Sequence, residues 1–473
     1  MIRAAFVFGI VLVSVNTATA QNSSSFYRAD YQIAALEIYR DIIAVRSAAG
    51  HGKVPIVANY LADRFREGGF DDEDIHVLPM TLSTGEDTAS LVVRYRGNDA
   101  SGRKPILLIA HMDIVDALPK DWERDPFTLI EEDGYFFGRG SLDDKFGITT
   151  LTTTFLRLKA EGFVPTRDLI IAFTGDEESG METTESLVTT HRNLTDAEYV
   201  LNADGGGGGV DDDGNAIAFF MQSAEKTYAT FELTIRNPGG HSSAPRKDNA
   251  IYELATVLSN IEAYEFPARS NDITLRFFET VSAVTPGELG AAMRAFSENP
   301  QDADAIRLLR QHPGQAGLIG TTCVATMLSA GHAENALPQS ATATVNCRIF
   351  PDVSVSRVQE RLAIVAENDN LEIEVLATPK ASPSSPLIEE VTAAVSGAVH
   401  ARYPDVPVIP SMAAYGTDGK ETRLAGMPTY GVMGLFMRED DVFAHGLNER
   451  VPVDQFYGAL EHWYYILNEL AGR

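Results

Sequence analysis

Three short runs of apolar residues constrain the fold of this chain more than any other feature of its sequence. They lie at residues 105–110, 169–173 and 199–203, and almost no polar residue interrupts them. Such runs are typical of central β-strands that are covered on both faces. Between the first two runs, apolar residues within 146–161 recur every three or four positions, which indicates a helix. The sequence therefore predicts an α/β domain with a mixed sheet and helices on both faces.

The block from residue 227 to 378 follows a different pattern. Its segments read strand, helix, strand, strand, helix, strand, which is the split ferredoxin-like arrangement. An irregular insertion at about 264–320, with one helical portion near 304–309, interrupts this order. We therefore predict an inserted ferredoxin-like α+β lid domain at 227–378. The catalytic domain would then consist of two parts, 21–226 and 379–473.

The N-terminus has the composition of a signal peptide. Arg3 precedes an apolar stretch at 4–15, and small residues at 18–20 precede Gln21. The apolar stretch is shorter than the roughly 20 residues that span a bilayer, so an uncleaved anchor is the less favoured alternative. We expect residues 1–20 to be removed and the mature protein, without a membrane span, to be secreted or periplasmic.

Charge and cysteine content bear on partners and compartment. The formal net charge is −28, from 38 basic and 66 acidic residues, which argues against a nucleic-acid partner because phosphates are held by clustered Lys and Arg. Export would permit a disulfide between Cys323 and Cys347, which lie in two strand-like runs. Free cysteine is among the most buried residue types, and we expect a buried thiol at each position instead.

Residues of the types that bind metals follow the three apolar runs. His111 and Asp113 follow the first run, Glu177 and Glu178 follow the second, and Asp204 follows the third. Because open α/β sheets bind their ligands at the carboxyl ends of strands, we expect these side chains to meet. Two further segments carry the same residue types, Gly138-Arg139-Gly140-Ser141-Leu142-Asp143-Asp144-Lys145 and Ala444-His445-Gly446-Leu447-Asn448-Glu449.

Imidazoles together with carboxylates suit Zn²⁺, and a shared carboxylate suits a pair of ions. Taken singly, each of these segments is more typical of a hydrogen-bonded polar residue, a solvated turn or, after Asp204, a flexible glycine loop. Their occurrence at successive strand ends of one sheet favours a metal site.

The motifs resemble those of the co-catalytic zinc metallopeptidase and amidohydrolase family that includes aminoacylase, acetylornithine deacetylase, succinyl-diaminopimelate desuccinylase and glutamate carboxypeptidase. The long insertion and the leader are most similar to the branch of carboxypeptidase S and secreted N-acyl-amino-acid hydrolases. The resemblance extends over essentially the whole mature chain. Its motifs are His111-x-Asp113-x-Val115, Gly138-Arg139-Gly140-x-x-Asp143-Asp144-Lys145, Asp176-Glu177-Glu178, Asn202-Ala203-Asp204-Gly205, Gly240-His241-Ser242-Ser243-x-Pro245 and Ala444-His445-x-x-Asn448-Glu449.

The resemblance implies two zinc ions, for which Co²⁺ or Mn²⁺ could substitute. Asp143 would bridge the pair. His111 and Asp204 would complete one site, and Glu178 and His445 the other. A pair of ions sharing one carboxylate provides the charge that activates water for hydrolysis.

The resemblance also assigns roles to residues around the ions. Glu177 would be the general base, and Asp113 would orient the imidazole of His111. The alternative for Glu177 is a surface charge beside a true ligand. The peptide bond between Asp143 and Asp144 would be cis.

Four residues would contact the substrate. His241 resembles the family histidine that reaches the scissile carbonyl, in several members across a dimer interface. Asn335 and Arg348 match positions that hold the substrate carboxylate, and Lys420 occupies a loop that often helps. The alternatives are a structural ion pair for Arg348 and a solvated loop for Lys420.

We therefore expect an exported di-zinc metallohydrolase that cleaves the amide bond next to a free α-carboxylate. As a carboxypeptidase it would release the C-terminal residue of short peptides. The alternative is an N-acyl-amino-acid amidohydrolase of the aminoacylase or deacetylase type, and a minor alternative is an inactive relative that binds metal or peptides. The resemblance leaves both a monomer and a homodimer open.

Overall fold

The computed structural model describes residues 29–472, so the predicted signal peptide at 1–20 lies outside the described residues. None of the helices within 29–472 is both long and apolar enough to span a membrane. The helices are α1 Asp30–Ile43, α2 Val54–Glu67, α3 Lys145–Ala160, α4 Glu182–Val188, α5 Arg192–Thr195, α6 Ala250–Ala263, α7 Asp272–Ser282, α8 Gly287–Glu298, α9 Ala303–Arg310, α10 Pro313–Ala316, α11 Val355–Ala366, α12 Glu389–Arg402, α13 Gly419–Leu424 and α14 Val453–Ala471. The strands are β1 Ile75–Thr81, β2 Asp87–Tyr95, β3 Ile106–His111, β4 Ile130–Glu132, β5 Tyr135–Phe137, β6 Leu169–Thr174, β7 Tyr199–Asn202, β8 Gly207–Val210, β9 Ala216–Glu225, β10 Thr227–Arg236, β11 Gly240–His241, β12 Thr322–Ala330, β13 Ala336–Leu337, β14 Ser340–Ile349, β15 Leu371–Leu376, β16 Val408–Ala413, β17 Thr429–Gly431, β18 Phe436–Met437 and β19 Arg450–Pro452.

The larger sheet has the strand order β1-β2-β6-β3-β7-β17-β9-β8-β18, and β16 pairs with β9. Strands β6, β3 and β7 run parallel, β2 pairs antiparallel with β6, and β1 pairs antiparallel with β2. Alternate residues of β3 enter different cores. Leu108 packs in the core that includes α2, α3 and α14, and Leu107 packs on the opposite face with Leu187 of α4. This mixed sheet with helices on both faces is the predicted fold class.

The smaller sheet is antiparallel, with the order β12-β14-β10-β15. Helices α6 and α11 cover one face, where Phe231 and Leu233 of β10 meet Leu254 and Leu362. The chain order β10, α6, β12, β14, α11, β15 matches the predicted ferredoxin-like arrangement. The proposed limits of this domain, 227 and 378, stay a prediction.

The insertion between α6 and β12 is largely helical, so the prediction of an irregular segment with one helical portion was wrong. It contains α7 to α10, and α7, α8 and α9 enclose a small core that includes Phe278, Met293 and Leu309. Asn271 caps α7, because its side-chain oxygen accepts the Thr274 N–H at 2.9 Å. Helix α7 also packs against β16 of the larger sheet.

Cys323 and Cys347 form a disulfide, and the expectation of two free thiols was therefore wrong. The two residues lie directly opposite each other in the β12–β14 pair. Side chains that are cross-strand neighbours on one face are close enough to bond. The pairing depends on the register of two strands, which their separate sequences do not fix.

The disulfide is expected to stabilise the smaller sheet. It closes a loop with a sequence separation of 24 residues, and a crosslink of this span stabilises a protein by about 2–4 kcal/mol. The double variant Cys323→Ala/Cys347→Ala should lose that much free energy of unfolding, measured by urea denaturation with circular dichroism. Mass spectrometry after alkylation checks the starting protein. An unchanged urea midpoint would contradict this prediction.

Candidate active site

The predicted metal ligands gather at the carboxyl ends of adjacent parallel strands. His111 is the last residue of β3, Glu178 follows β6, and Asp204 follows β7. Because β3 lies between β6 and β7, these three side chains reach one edge of the sheet. Asp143 comes from the turn before α3, and His445 from the loop before β19.

The carboxylate of Asp143 lies between two imidazoles. Its Oδ1 is 2.9 Å from Nε2 of His111, and its Oδ2 is 3.0 Å from Nε2 of His445. The same His445 nitrogen is 3.0 Å from Oε1 of Glu178, while Nε2 of His111 is 3.9 Å from Oδ2 of Asp204. Asp143 thus joins a pair formed by His111 and Asp204 to a pair formed by His445 and Glu178.

Asp144 supports this arrangement from the next position. The Asp143–Asp144 peptide bond is cis, as the resemblance implied. The Asp144 side chain caps α3 by accepting the Gly147 N–H at 3.0 Å. Residues 29–472 contain two sets of three metal-binding side chains. Within each set, the donor atoms lie within 4.8 Å of one another. The first set is His111, Asp143 and Glu178, and the second is His111, Asp144 and Asp204.

The electrostatics of this cluster fit divalent cations. Burial raises the pKa of Asp204, and the neighbouring charge of Asp143 raises it further. Burial also raises the pKa of Asp144, and hydrogen bonds with Asp143 and Glu178 raise the pKa of His445 to about 10. Burial is the main cause of the shifts at Asp204 and Asp144, and the neighbouring carboxylates are the main cause of the shift at His445. A cation between the Nε2 atoms and the carboxylate oxygens would offset the charge of these carboxylates, and nitrogen and oxygen donors of this kind are ligands of Zn²⁺.

Asp113 connects His111 to the turn that carries the two glutamates. Its carbonyl oxygen lies 3.0 Å from Nδ1 of His111, and its Oδ1 lies 3.5 Å from the same nitrogen. The carboxylate also accepts the N–H groups of Glu177 at 3.1 Å and Glu178 at 3.0 Å. Asp113 therefore orients the imidazole through its backbone, and it fixes the glutamate turn through its side chain.

Glu177 lies beside the donor sets. In the described part of the chain, those sets include Glu178 but not Glu177. Burial raises the pKa of the Glu177 carboxyl, and the charge of Asp204 adds to this effect while His111 opposes it. A carboxylate that lies next to the donor sets but outside them is free to move a proton.

The predicted substrate residues form two groups. His241 and Asn335 are neighbours at the pair of short strands β11 and β13, where the Ser242 N–H donates to the Asn335 carbonyl at 3.0 Å. Both side chains are exposed. The ring nitrogen Nδ1 of His241 lies 2.7 Å from the Ser243 hydroxyl.

Arg348 and Lys420 flank the segment that follows β16. Nη1 of Arg348 donates to the Ala414 carbonyl at 2.9 Å, and its guanidinium lies over the Tyr228 ring. Within residues 29–472 no carboxylate forms an ion pair with Arg348. Nζ of Lys420 is 3.5 Å from Glu421.

A buried polar network links Asp204 to the loop before α13, and the sequence singled out no residue of that loop. Lys420, which was expected in a loop, is the second residue of α13. The Asp204 N–H donates to Asn202 Oδ1 at 2.9 Å, and Asn202 Nδ2 donates to the Thr417 hydroxyl at 3.2 Å. The Thr417 N–H donates to Glu225 at 2.9 Å, and Glu225 pairs with Arg423 at 2.6 Å. The partners are far apart in sequence, so no local pattern indicated the network.

Tyr415 is a second residue that sequence reasoning missed. It stands in the same loop, and 51% of its surface is exposed. Burial of its hydroxyl group raises the tyrosine pKa, and the negative charges of Asp204, Glu225 and Asp143 add to the shift.

Comparison with known proteins agrees with this geometry. The model of Peptidase family M20/M25/M40 matches residues 107–469. The chain belongs to this peptidase family. It is therefore an enzyme of the M20 metallopeptidase and hydrolase type, and the family recognised from the motifs is confirmed.

Two relatives represent the two activities considered from the sequence. Human N-fatty-acyl-amino acid synthase/hydrolase PM20D1 is 28% identical over 399 residues, which cover 80% of this chain and 78% of the relative. Probable carboxypeptidase S-like 2 of Dictyostelium discoideum is 26% identical over 398 residues, which cover 80% of this chain and 74% of the relative.

Solved structures show the same fold. The M20 family metallo-carboxypeptidase Sso-CP2 from Sulfolobus solfataricus has a TM-score of 0.68 at 19% identity, covering 92% of this chain and 98% of its own. The YXEP protein of Bacillus subtilis, described as a dinuclear metal binding peptidase from the M20 family, has a TM-score of 0.58 at 13% identity, covering 92% and 97%.

Asp113→Asn should lower activity, because an amide has one acceptor oxygen and would point N–H groups at the N–H of Glu177 or Glu178. Residues that orient ligands typically contribute about 10–100-fold, and we expect kcat/KM to fall by that factor. The control is Asp168→Asn. Asp168 accepts the Gly97 N–H at the opposite end of β6 and should affect only stability. Equal kcat/KM in wild type and Asp113→Asn would contradict the assigned role.

Proposed function

We propose that this protein is an exported di-zinc hydrolase that cleaves the amide bond next to a free α-carboxylate, releasing the C-terminal amino acid of short peptides. The observation that carries the proposal is the Asp143 carboxylate between two imidazoles, with Asp204 and Glu178 at the two sides. This donor set supports the allocation of His111 and Asp204 to one ion, His445 and Glu178 to the other, and Asp143 to both.

Glu177 is the general base of this proposal. Zinc ions in such a site polarise the scissile carbonyl and promote ionisation of water at neutral pH. The Glu177 carboxylate accepts the proton of the attacking water and delivers it to the leaving amine. The burial of Glu177 supports this role because it raises the pKa of the carboxyl group toward neutral pH. A group with such a pKa can both accept a proton from water and donate it to the amine.

His241 is the proposed contact to the scissile carbonyl, and Asn335, Lys420 and Arg348 are the proposed binders of the substrate carboxylate. The guanidinium of Arg348 contacts a carbonyl and a ring, which leaves donors for a bidentate carboxylate. A protein with a net charge of −28 has an overall field that repels anions, so local cations are needed to bind one.

The second candidate is hydrolysis of N-acyl amino acids. It is favoured by the relative named N-fatty-acyl-amino acid synthase/hydrolase, which is as similar to this chain as the carboxypeptidase S-like relative. Both reactions release a free amino acid and use the same carboxylate contact. Rates on dipeptides, N-acetyl amino acids and N-long-chain-acyl amino acids, compared side by side, distinguish the two. An inactive relative is disfavoured, because the proposed ligands and Glu177 are all present.

Two observations support the proposed location and assembly. The Cys323–Cys347 disulfide is typical of oxidising compartments, in agreement with a secreted or periplasmic protein.

Strand β12 is an edge of the smaller sheet and exposes Val324, Met327 and Leu328. An unpaired apolar edge is suited to pairing with a second copy, which supports a homodimer.

The two adjacent glutamates should respond differently to substitution. Glu177→Gln keeps the shape of the side chain but cannot accept a proton, so kcat should fall by about 10²–10⁴-fold while both ions stay bound. Glu178→Gln removes a ligand charge and should lower the metal content. Elemental analysis and kinetics on the same preparations check both effects. Equal loss of metal from the two variants would contradict this division of roles.

Substrates with a free carboxylate should be preferred over their amides and methyl esters. Arg348→Ala should lower kcat/KM for free-acid substrates by about 10–100-fold, since a charge-assisted hydrogen bond contributes roughly 1.5–3 kcal/mol. The control Arg236→Ala removes an exposed arginine from β10 and should leave the rate unchanged. Equal rates on free-acid and amidated peptides would refute cleavage beside a free carboxylate.

A further inference from the structure

Two proposed ligands come from loops that are far apart in the sequence and outside the central strands. Asp143 lies in the turn between β5 and α3, and His445 lies in the loop before β19. The three ligands at the ends of β3, β6 and β7 are positioned by the sheet itself. The spacing of Asp143 and His445 therefore needs a separate structural cause.

A buried ion pair joins these two loops. Nη1 of Arg139 is 2.5 Å from Oε2 of Glu449, and the side chains are 3% and 0% exposed. Nη2 of Arg139 also donates to the carbonyls of His445 and Gly446, each at 3.1 Å. The guanidinium thus holds the backbone of the histidine loop from the side of the Asp143 turn.

Glu449 forms the reciprocal contact. Its Oε1 accepts the N–H groups of Leu142 at 2.7 Å and Asp143 at 3.0 Å. The Glu449 carbonyl also accepts the Gly138 N–H at 3.1 Å. Each member of the pair therefore binds the backbone of the loop that carries the other member, and the contacts reach both proposed ligands.

The histidine loop depends on such contacts. His445 has a φ of 63°, in the left-handed region that non-glycine residues seldom adopt, and its side chain is 53% exposed. A conformation of this kind persists only where surrounding contacts enforce it. The two hydrogen bonds from Arg139 to the carbonyls of His445 and Gly446 are contacts of this type.

We infer that Arg139 and Glu449 are positioning residues that set the spacing between Asp143 and His445, and thereby the affinity for the ion bound by His445 and Glu178. The inference rests on the proposed di-zinc function. The other ion, bound by His111 and Asp204, depends on strand ends and should be affected less. Loss of either partner also leaves a buried charge without compensation, so a purely structural cost has to be measured separately.

Arg167 provides a matched control. Its guanidinium is 1% exposed, pairs with Glu198, and donates to the carbonyls of Lys104 and Pro105. It precedes β6, whereas Glu178 follows that strand, so about 20 Å of strand separates it from the cluster. Arg167→Gln therefore removes the same kind of interaction without touching either ligand loop.

The test measures zinc retention by the loaded full-length protein. Wild type, Arg139→Gln, Glu449→Gln and Arg167→Gln are equilibrated against a series of zinc buffers, and bound zinc per chain is counted by elemental analysis. Thermal denaturation of each sample reports its stability. Wild type should hold two ions. Arg139→Gln and Glu449→Gln should release one ion at a free zinc concentration about 10–100-fold higher than wild type does, and should keep the second. Arg167→Gln should lose stability and keep the zinc affinity of wild type.

Three outcomes overturn the inference. Wild-type zinc affinity in both Arg139→Gln and Glu449→Gln would refute it while leaving the di-zinc function intact. An equal loss of zinc from Arg167→Gln would show a general effect of instability. Fewer than two ions in wild type would refute the proposed function and the inference together. If Arg139→Gln does not fold, Arg139→Lys replaces it; a lysine keeps the charge but lacks the forked donors, and a smaller loss of the same ion is expected.

Discussion

Carboxylates crowd one edge of the larger sheet, and the surrounding chain has to hold them there against their mutual repulsion. Asp143, Asp144, Glu178 and Asp204 are held close together in a protein that is already strongly acidic. Burial and mutual repulsion raise the pKa of Asp204, and burial raises that of Asp144. Such a cluster is unfavourable unless cations offset its charge, which is why we assign it to metal binding.

The scaffold holds this cluster with backbone groups and buried partners. Parallel strands bring His111, Glu178 and Asp204 to one edge, and the Asp113 carboxylate accepts two N–H groups of the glutamate turn. The Arg139–Glu449 pair performs the corresponding task for the two loops. These interactions are formed within the chain, so they can fix the ligand positions before an ion binds. That preorganisation is what a hydrolytic site requires of its protein.

Much of the fold could be predicted because the strongest signals were local. The runs that form β3, β6 and β7 are buried on both faces. Because buried strands contain few polar residues, this burial could be predicted from their composition. Helix α8 was missed because part of its buried face is formed by Gly290 and Ala292, which give a weak hydrophobic signal. The disulfide was missed because it depends on the register between β12 and β14.

For the site, residue types at strand ends and a family resemblance indicated the ligands. The ion pair of Arg139 with Glu449 spans 310 positions, and the contact of Thr417 with Asn202 spans 215, so only the folded chain shows them.

We assign Asp143 a position between two metal ions. Anomalous X-ray diffraction from crystals of the zinc-loaded protein, recorded on both sides of the zinc absorption edge, tests this assignment. We expect two anomalous peaks, one beside each oxygen of Asp143, with His111 and Asp204 around one peak and His445 and Glu178 around the other. A single peak, or two peaks of which neither contacts Asp143, would contradict it.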